Sequence, residues 1–311
     1  MKGQAEEAKI STKNSVRRLV MVVIAVLLQV AWIIGLAVRL TKYYAAISTL
    51  ASVLALLLVF RVYGLRINSA YKISWIILIE LFPILGVCLY LMFGRTGALG
   101  PMRKWFDKVH TAYAHLLPQD EAIVDKLENA NAGLARQSEY LRKGAGYPVY
   151  QNTDVEFYGD TVQALEAQKA EMRRAKKFIF MEYHAIEDSV AWKGIEEILM
   201  EKAAEGLDVR VFYDDMGSIG FISKDFMEKL KRKGIKCRVF NPLMPILNVF
   251  MNNRDHRKIT VIDGKVGFTG GYNLANEYFN LTHPYGQWKD SGVKLTGDAV
   301  RSLTLIFMEM W

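Results

Sequence analysis

The sequence predicts an α/β domain carried behind transmembrane helices, and three observations lead there. Apolar residues crowd into the first 94 positions, strand-like and helix-like segments alternate from Val155 onward, and the polar stretch around Asp263-Gly264 has the spacing of a β-hairpin. Apolar side chains make up 51% of the 311 residues although 40 are Lys or Arg, a combination that a membrane section joined to a globular one reconciles. The net charge of +8 favours an anionic partner, either an acidic membrane surface or nucleic acid. Cys88 and Cys237 lie far apart, one of them in an apolar run, so neither a disulfide framework nor a metal cage is expected.

Residues 1–100 read as a membrane anchor. Leu19 to Val38 is nearly unbroken apolar sequence, about the 20 residues needed to cross a hydrocarbon core ~30 Å thick. Tyr43 to Phe60 and Ile73 to Phe93 are a second and a third candidate. A cleaved leader does not fit, because further apolar segments follow and no small-residue cleavage site precedes them. Lys2, Lys9, Lys13, Arg17 and Arg18 before the first span place the N-terminus in the cytoplasm. The third segment holds Glu80, Pro83 and Gly86 near its middle; an ionisable group is costly in lipid and the proline invites a break. Read as a re-entrant hairpin, it leaves the basic residues of 61–72 and 95–108 on the cytoplasmic side, with Arg39 and Lys42 outside. The expectation is a multi-pass membrane protein with two crossings, a third spanning or re-entrant segment, and the globular domain in the cytoplasm.

Residues 101–150 read as a linker or helical arm, with one surface helix over Glu121 to Arg142, and His110 and His115 receive no role. In residues 151–311 the pattern is helix (Asp160 to Arg174), strand (Lys177 to Tyr183), helix (Trp192 to Glu205), strand (Asp208 to Asp214), helix (Ser223 to Lys233) and strand (Lys236 to Phe240). Units of this length imply a mostly parallel sheet covered on both faces. Such a scaffold says nothing yet about chemistry.

The informative stretch is Asn252 to Asn273, NNRDHRKITVIDGKVGFTGGYN. Residues 256–262 alternate like a strand, so His256, Lys258 and Thr260 share one face and Arg257, Ile259 and Val261 the other. A histidine and a lysine so placed can converge on one phosphate group. Asp263-Gly264 is a two-residue hairpin signal, and counting back from it pairs Ile262 with Lys265, Lys258 with Thr269 and His256 with Gly271. Gly270 and Gly271 then leave space for a ligand beside His256, and the Asn273 amide can donate to a phosphate oxygen. Asp214 and Asp215 read as capping or structural residues, Glu182 as a possible orienting group, and His184 as a satisfied structural histidine. His283 is left unassigned. None of the five histidines falls at a metal-ligand spacing, and no cofactor is expected.

The spacing His256-x-Lys258, four residues, Asp263, six residues, Gly270-Gly271-x-Asn273 resembles the signature of the phospholipase D superfamily. YDDMGS at Tyr213 to Ser218, MNNRDHRK at Met251 to Lys258, GFTGGYNLANEY at Gly267 to Tyr278 and the later Trp288-Lys289-Asp290 are similar to bacterial cardiolipin synthases. So is the third apolar segment with its Trp75, Pro83, Gly86, Tyr90 and closing Phe93-Gly94-Arg95. The resemblance implies one of the two halves of a phospholipase-D-like αβα sandwich, seated on the bacterial cytoplasmic membrane.

It also implies a chemistry. In this family a histidine attacks the phosphorus of a phospholipid diester to form a phosphohistidine, and a second histidine serves as acid and then base. By resemblance the catalytic residues are His256, Lys258 and Asp263. His256 is the candidate nucleophile, with the general-acid role as its alternative, and Lys258 and Asn273 stabilise phosphoryl charge. Asp263, at the turn, fits an orienting or structural role better than direct contact with phosphorus. The implied substrates are two phosphatidylglycerol molecules giving cardiolipin and glycerol, with anionic lipids rather than nucleic acid as partners. A hydrolase of the same superfamily and an inactive lipid-binding fragment are the alternatives. One motif stands where the family carries two, and the apolar helix Val300 to Trp311 reads as running on into further protein. A missing C-terminal half or a homodimer is expected to supply the second motif.

Overall fold

The computed structural model describes residues 43–94, 100–242 and 253–311, with scattered positions from 23 to 38. Nine of the twenty residues of the expected first span, Leu19 to Val38, and the whole N-terminal basic cluster lie outside the described residues. The chain divides into two compact units, one built around Val16–Pro101 and the other around Met102–Pro242 with Arg254–Trp311.

In the first unit α1 (Tyr44–Gly64) exposes Leu50, Leu54, Leu57 and Phe60 along one side, an apolar face open to its surroundings. Among the described residues it supplies the one span, Ala45–Gly64, long and apolar enough to cross a membrane. The third apolar segment is two short helices, α2 (Ser69–Leu81) and α3 (Pro83–Leu89). The Asn68 side chain caps α2 by accepting the Ala70 N–H at 2.9 Å. Phe82, at φ −134° and ψ 75°, ends it, and Pro83 starts α3 where its missing N–H costs nothing. The two helices fold back on each other. A Cβ on Gly86 would stand 2.6 Å from the Ile79 Cα, whereas a continuous helix separates residues seven apart by about 10 Å. Ile79, Tyr90, Ala55 and Val62 form the small core of this unit.

In the second unit α4 (Gly100–Tyr113), α5 (Glu121–Ala130) and α6 (Ala132–Ala145) make the arm. The single helix expected over Glu121 to Arg142 is broken because Asn131, extended at φ −159°, turns its side chain to the N–H groups of Gly133 and Leu134. The domain then runs β1 (Thr153–Tyr158), α7 (Thr161–Arg173), β2 (Phe178–Tyr183), α8 (Val190–Ala204), β3 (Asp208–Asp214), α9 (Asp215–Ser218), α10 (Phe226–Arg232), β4 (Lys236–Phe240), β5 (Lys258–Ile262), β6 (Val266–Gly270), β7 (Gly292–Gly297) and α11 (Val300–Met310).

The seven strands form one sheet in the order β1-β7-β6-β5-β2-β3-β4. The βαβ units β2-α8-β3 and β3-α10-β4 are parallel as expected, but the other pairings are antiparallel, so the sheet is mixed rather than mostly parallel. The reason is the connection: β5 and β6 are joined by a hairpin, and short returns force antiparallel pairing. Ile179, Met181 and Tyr183 of β2 pack under α7, α8 and α10, around Trp192, Ile195 and Phe226. Phe180 lies on the opposite face with Ile259, Val261 and Phe307 of α11, stacked on Phe307 at 4.8 Å.

Candidate active site

Because β5 runs antiparallel to β2, with Tyr183 opposite Lys258, the start of β5 meets the carboxyl ends of β2 and β3 at one edge of the sheet. This is the edge where α/β sheets open their ligand clefts. It gathers His184, Asp214, His256 and Lys258. The strand begins at Lys258, not at His256: residues 253–257 are irregular, and His256 has no ladder position. The division of faces from Lys258 onward is as expected, with Ile259 and Val261 in the α11 core and Thr260 on the opposite face.

His256 is exposed, and its basicity is lowered, first by burial of part of the ring and then by Lys258 and His184. Each of these effects favours the unprotonated imidazole. Lys258 is only 5% exposed and donates from Nζ to the His256 carbonyl at 3.0 Å. Burial lowers its basicity, while Asp255 and Asp290 act the other way. A buried ammonium within reach of a neutral imidazole suits the binding of an anion that the imidazole can attack.

The hairpin register differs from expectation by one residue. Asp263 and Gly264 do take positive φ, 54° and 67°, and the Lys265 N–H bonds to the Ile262 carbonyl at 3.0 Å. Lys265 is then an extra residue, its carbonyl taken by Gly297, so Ile262 pairs with Val266 and Ile259 with Thr269. The glycines have a different purpose from the one expected. A Cβ on Gly271 would collide with the Asp290 carboxylate, and its N–H donates to the Ser291 carbonyl at 3.1 Å. Gly270 faces Ser291 and Gly292 in the same way. Both make room for the neighbouring chain.

Asp263 stands at the far end of β5 from His256, about 20 Å along the chain. Its carboxylate accepts the N–H groups of Lys176, Lys177 and Phe178 at 2.8, 2.7 and 2.9 Å. The member of the motif expected among the catalytic residues thus fixes the start of β2 and touches no reacting group.

Beneath the site lies a polar layer. Gln168 of α7 donates to Thr260 at 2.8 Å and to Tyr183 at 3.2 Å, and accepts from Tyr272 at 3.1 Å. Asn273 accepts the Ala185 N–H at 3.1 Å and donates to the Tyr278 hydroxyl at 2.7 Å, tying the end of β2 to the segment after β6. Asp214 accepts from Gly217, Asp255 and Arg254, the capping role expected of it. Glu182, fully buried, meets Arg257 at 3.3 Å, and burial followed by Asp255 pushes its carboxyl well above the usual range. Glu182 and Asp255 each keep one oxygen with no partner, a pair that one shared proton satisfies. Among the described residues no group of three His, Cys, Asp or Glu is arranged to hold a metal ion.

The residue that sequence reasoning missed is His184. Its ring stands edge-on to His256, centroids 4.6 Å apart at 64°. The one available signal was its place directly after a parallel strand, at the end where sites open.

Fold and site together define a phospholipase-D-like α/β domain. Residues 169–311 match the family described as cardiolipin synthase, PLD-like domain, and residues 51–95 the phospholipase D-nuclease N-terminal family. A cardiolipin synthase of Halalkalibacterium halodurans is 34% identical over 254 residues, 77% of this chain and 48% of the relative. One of Staphylococcus aureus (strain Mu50) is 31% identical over 270 residues, 84% of this chain and 54% of the relative. An uncharacterized protein of Streptococcus mutans is 38% identical over 79% of this chain and 53% of its own length. Over residues 169–311 the chain is similar to the cardiolipin-synthase branch of the phospholipase D superfamily, and it spans about half the length of the curated relatives it matches. Among solved structures, the phosphatidylserine synthase of Haemophilus influenzae aligns with 16% identity and a TM-score of 0.41, over 56% of this chain and 40% of that one.

Proposed function

We propose that the chain is the N-terminal half of a membrane-bound phosphatidyltransferase that joins two phosphatidylglycerol molecules into cardiolipin and releases glycerol. An imidazole nitrogen of His256 attacks the phosphorus of the first lipid, the nitrogen–phosphorus bond forms, and the bond to the leaving glycerol oxygen breaks as that oxygen takes a proton from an acid. The hydroxyl of the second lipid then gives its proton to the same base and displaces His256. Lys258 and the Asn273 amide stabilise charge on the phosphoryl oxygens, and Asp263 acts only through β2. The acid is a second histidine, carried by a C-terminal half or by another copy of the chain. The observation that carries this reading is the exposed His256, its basicity lowered, beside the buried Lys258. The folded-back α2–α3 pair, with α2 about 20 Å long against a ~30 Å core, supports two crossings and a re-entrant hairpin. The domain then faces the cytoplasmic leaflet, where both substrates lie.

The test is to incubate the full chain in phosphatidylglycerol vesicles, alone and joined to a C-terminal half from a matched relative, and to identify the lipids. Cardiolipin with free glycerol, and a phosphohistidine on His256 that His256→Ala abolishes, is the expected result. Phosphatidic acid without cardiolipin would favour a hydrolase. No phosphoenzyme and no product in either form would sink the proposal.

A further inference from the structure

His256 is the reacting group of the proposal, yet no strand positions it. What holds it is His184. The His184 main-chain N–H donates to the Arg257 carbonyl at 3.0 Å, and its ring Nδ1 lies 2.7 Å from the Asp255 carbonyl. A carbonyl only accepts, so Nδ1 carries a hydrogen. The peptides bound are the one immediately before His256 and the one immediately after Arg257, so the two bonds bracket His256 and its neighbour. From its other side, Lys258 holds the His256 carbonyl itself. The clamp has a floor made for it: a Cβ on Gly217 would collide with the His184 carbonyl oxygen and stand 2.8 Å from ring atoms Cε1 and Nε2. Gly217 is in turn fixed by its N–H on Asp214, the carboxylate that also receives the Asp255 N–H.

We propose that His184 is a positioning residue for His256, holding the peptides that bracket it and Arg257 and meeting its ring edge-on. This rests on the reading of His256 as the nucleophile. A histidine that merely filled space would need neither two bonds bracketing His256 and Arg257 nor an open ring beside them, and His184 is only half-buried. The contact has an electrical consequence. A second basic ring at 4.6 Å disfavours a proton on His256, in the same sense as burial and the Lys258 ammonium. The charged groups around His256 are Lys258 on β5, its neighbours Asp255 and Arg257, Asp214 at the end of β3, and Asp290 before β7 acting on Lys258. Asp255 and Asp214 favour the protonated ring, so His184 and Lys258 are the side-chain charges that offset them.

Three forms of the full chain decide it: wild type, His184→Asn and His184→Phe. The asparagine amide occupies the place of Nδ1 and keeps the bond to Asp255 without a titrating ring. The phenylalanine keeps the ring and loses the donor. The first readout is the pH midpoint for carbethoxylation of His256 by diethyl pyrocarbonate, scored by peptide mass spectrometry, which needs no turnover. His184→Asn should raise that midpoint by about half a pH unit, the scale of one like-charged neighbour at a partly exposed site. The second readout is transfer by the chain joined to its C-terminal half. His184→Phe should lower kcat about 100-fold with KM little changed, as misplacement of a reacting group does, and His184→Asn should retain most of kcat. An unchanged midpoint in His184→Asn overturns the inference, whether or not His184→Phe folds. If wild type shows no transfer at all, the functional reading fails while the midpoint still decides the role of His184.

Discussion

The Asp263 carboxylate receives the main-chain N–H of Lys177 at 2.7 Å, and with it those of Lys176 and Phe178. One side chain at the tip of the β5–β6 hairpin thereby closes the first turn of β2, the strand whose other end carries His184. Hydrogen bonds to an ionised acceptor are the strong ones, and all three donors would be left without their partner together. Asp263→Ala should lower the unfolding free energy of the domain by about 2–4 kcal/mol, read from urea denaturation. The carbethoxylation midpoint of His256 in the folded fraction should stay where it is. A variant as stable as wild type but with altered His256 reactivity would return Asp263 to the reacting site.

The same residue marks the border of what the sequence makes legible. Asp263-Gly264 announces its turn because few residue pairs tolerate two successive positive φ angles, and the turn forms. The extra Lys265 has no local signature; its carbonyl is taken by Gly297 from a strand 30 residues on, so the register slips by one. The βα units β2 to β4 are readable from strand and helix periods in succession. The β5–β6 hairpin is readable from its turn, whereas β1, β7 and the antiparallel pairing of β5 with β2 escape because no turn or intervening helix reports them. His256 and Lys258 were named correctly as neighbours from motif and spacing. His184 was not, since its bonds reach 71 residues along the chain to Asp255, where no periodicity points.

The Glu182–Asp255 pair should make stability depend on pH. Buried, and beside a second carboxylate, Glu182 holds its proton in the folded chain at pH values where the unfolded chain has lost it. The folded state then binds more protons, so stability falls as pH rises from the usual carboxylate range through neutrality toward the folded value. Glu182→Gln removes this titration while keeping a neutral side chain of the same shape. Urea midpoints measured from pH 5 upward should decline for wild type and stay flatter for the variant. Parallel curves would mean that Glu182 is ionised in the folded domain.

Thr260 connects β5 to the polar layer under the site. Its hydroxyl accepts from Gln168 at 2.8 Å and lies 3.1 Å from the Tyr183 hydroxyl, all three side chains being buried. Thr260→Val keeps the shape and strands the Gln168 amide without that acceptor. A loss of about 1–3 kcal/mol is expected, with the carbethoxylation of His256 unchanged. Pairing it with Gln168→Leu should recover part of the loss, because removing both polar partners is milder than orphaning one. Additive losses in the double variant would show that the two side chains are not coupled.

In the N-terminal unit, Gly86 permits the main chain of α3 to lie against that of α2. A methyl group there would stand 2.6 Å from both the Ile79 Cα and the Leu78 carbonyl oxygen, and neither is a side-chain end that can swing aside. Small residues at such crossings are what allow helices to approach closely in lipid, where packing rather than water expulsion holds them. Gly86→Ala should therefore open the α2–α3 pair, at a cost of about 1–3 kcal/mol from overpacking. Gly64, in the last turn of α1 with nothing within 4 Å of its added Cβ, is the matched control. Gly64→Ala should be neutral or slightly stabilising, because it narrows the unfolded chain without a clash. Thermal melts of both variants in detergent micelles separate the two cases. Equal melting temperatures would mean that the helices do not fold back on each other at Gly86, and the re-entrant hairpin would go with that contact.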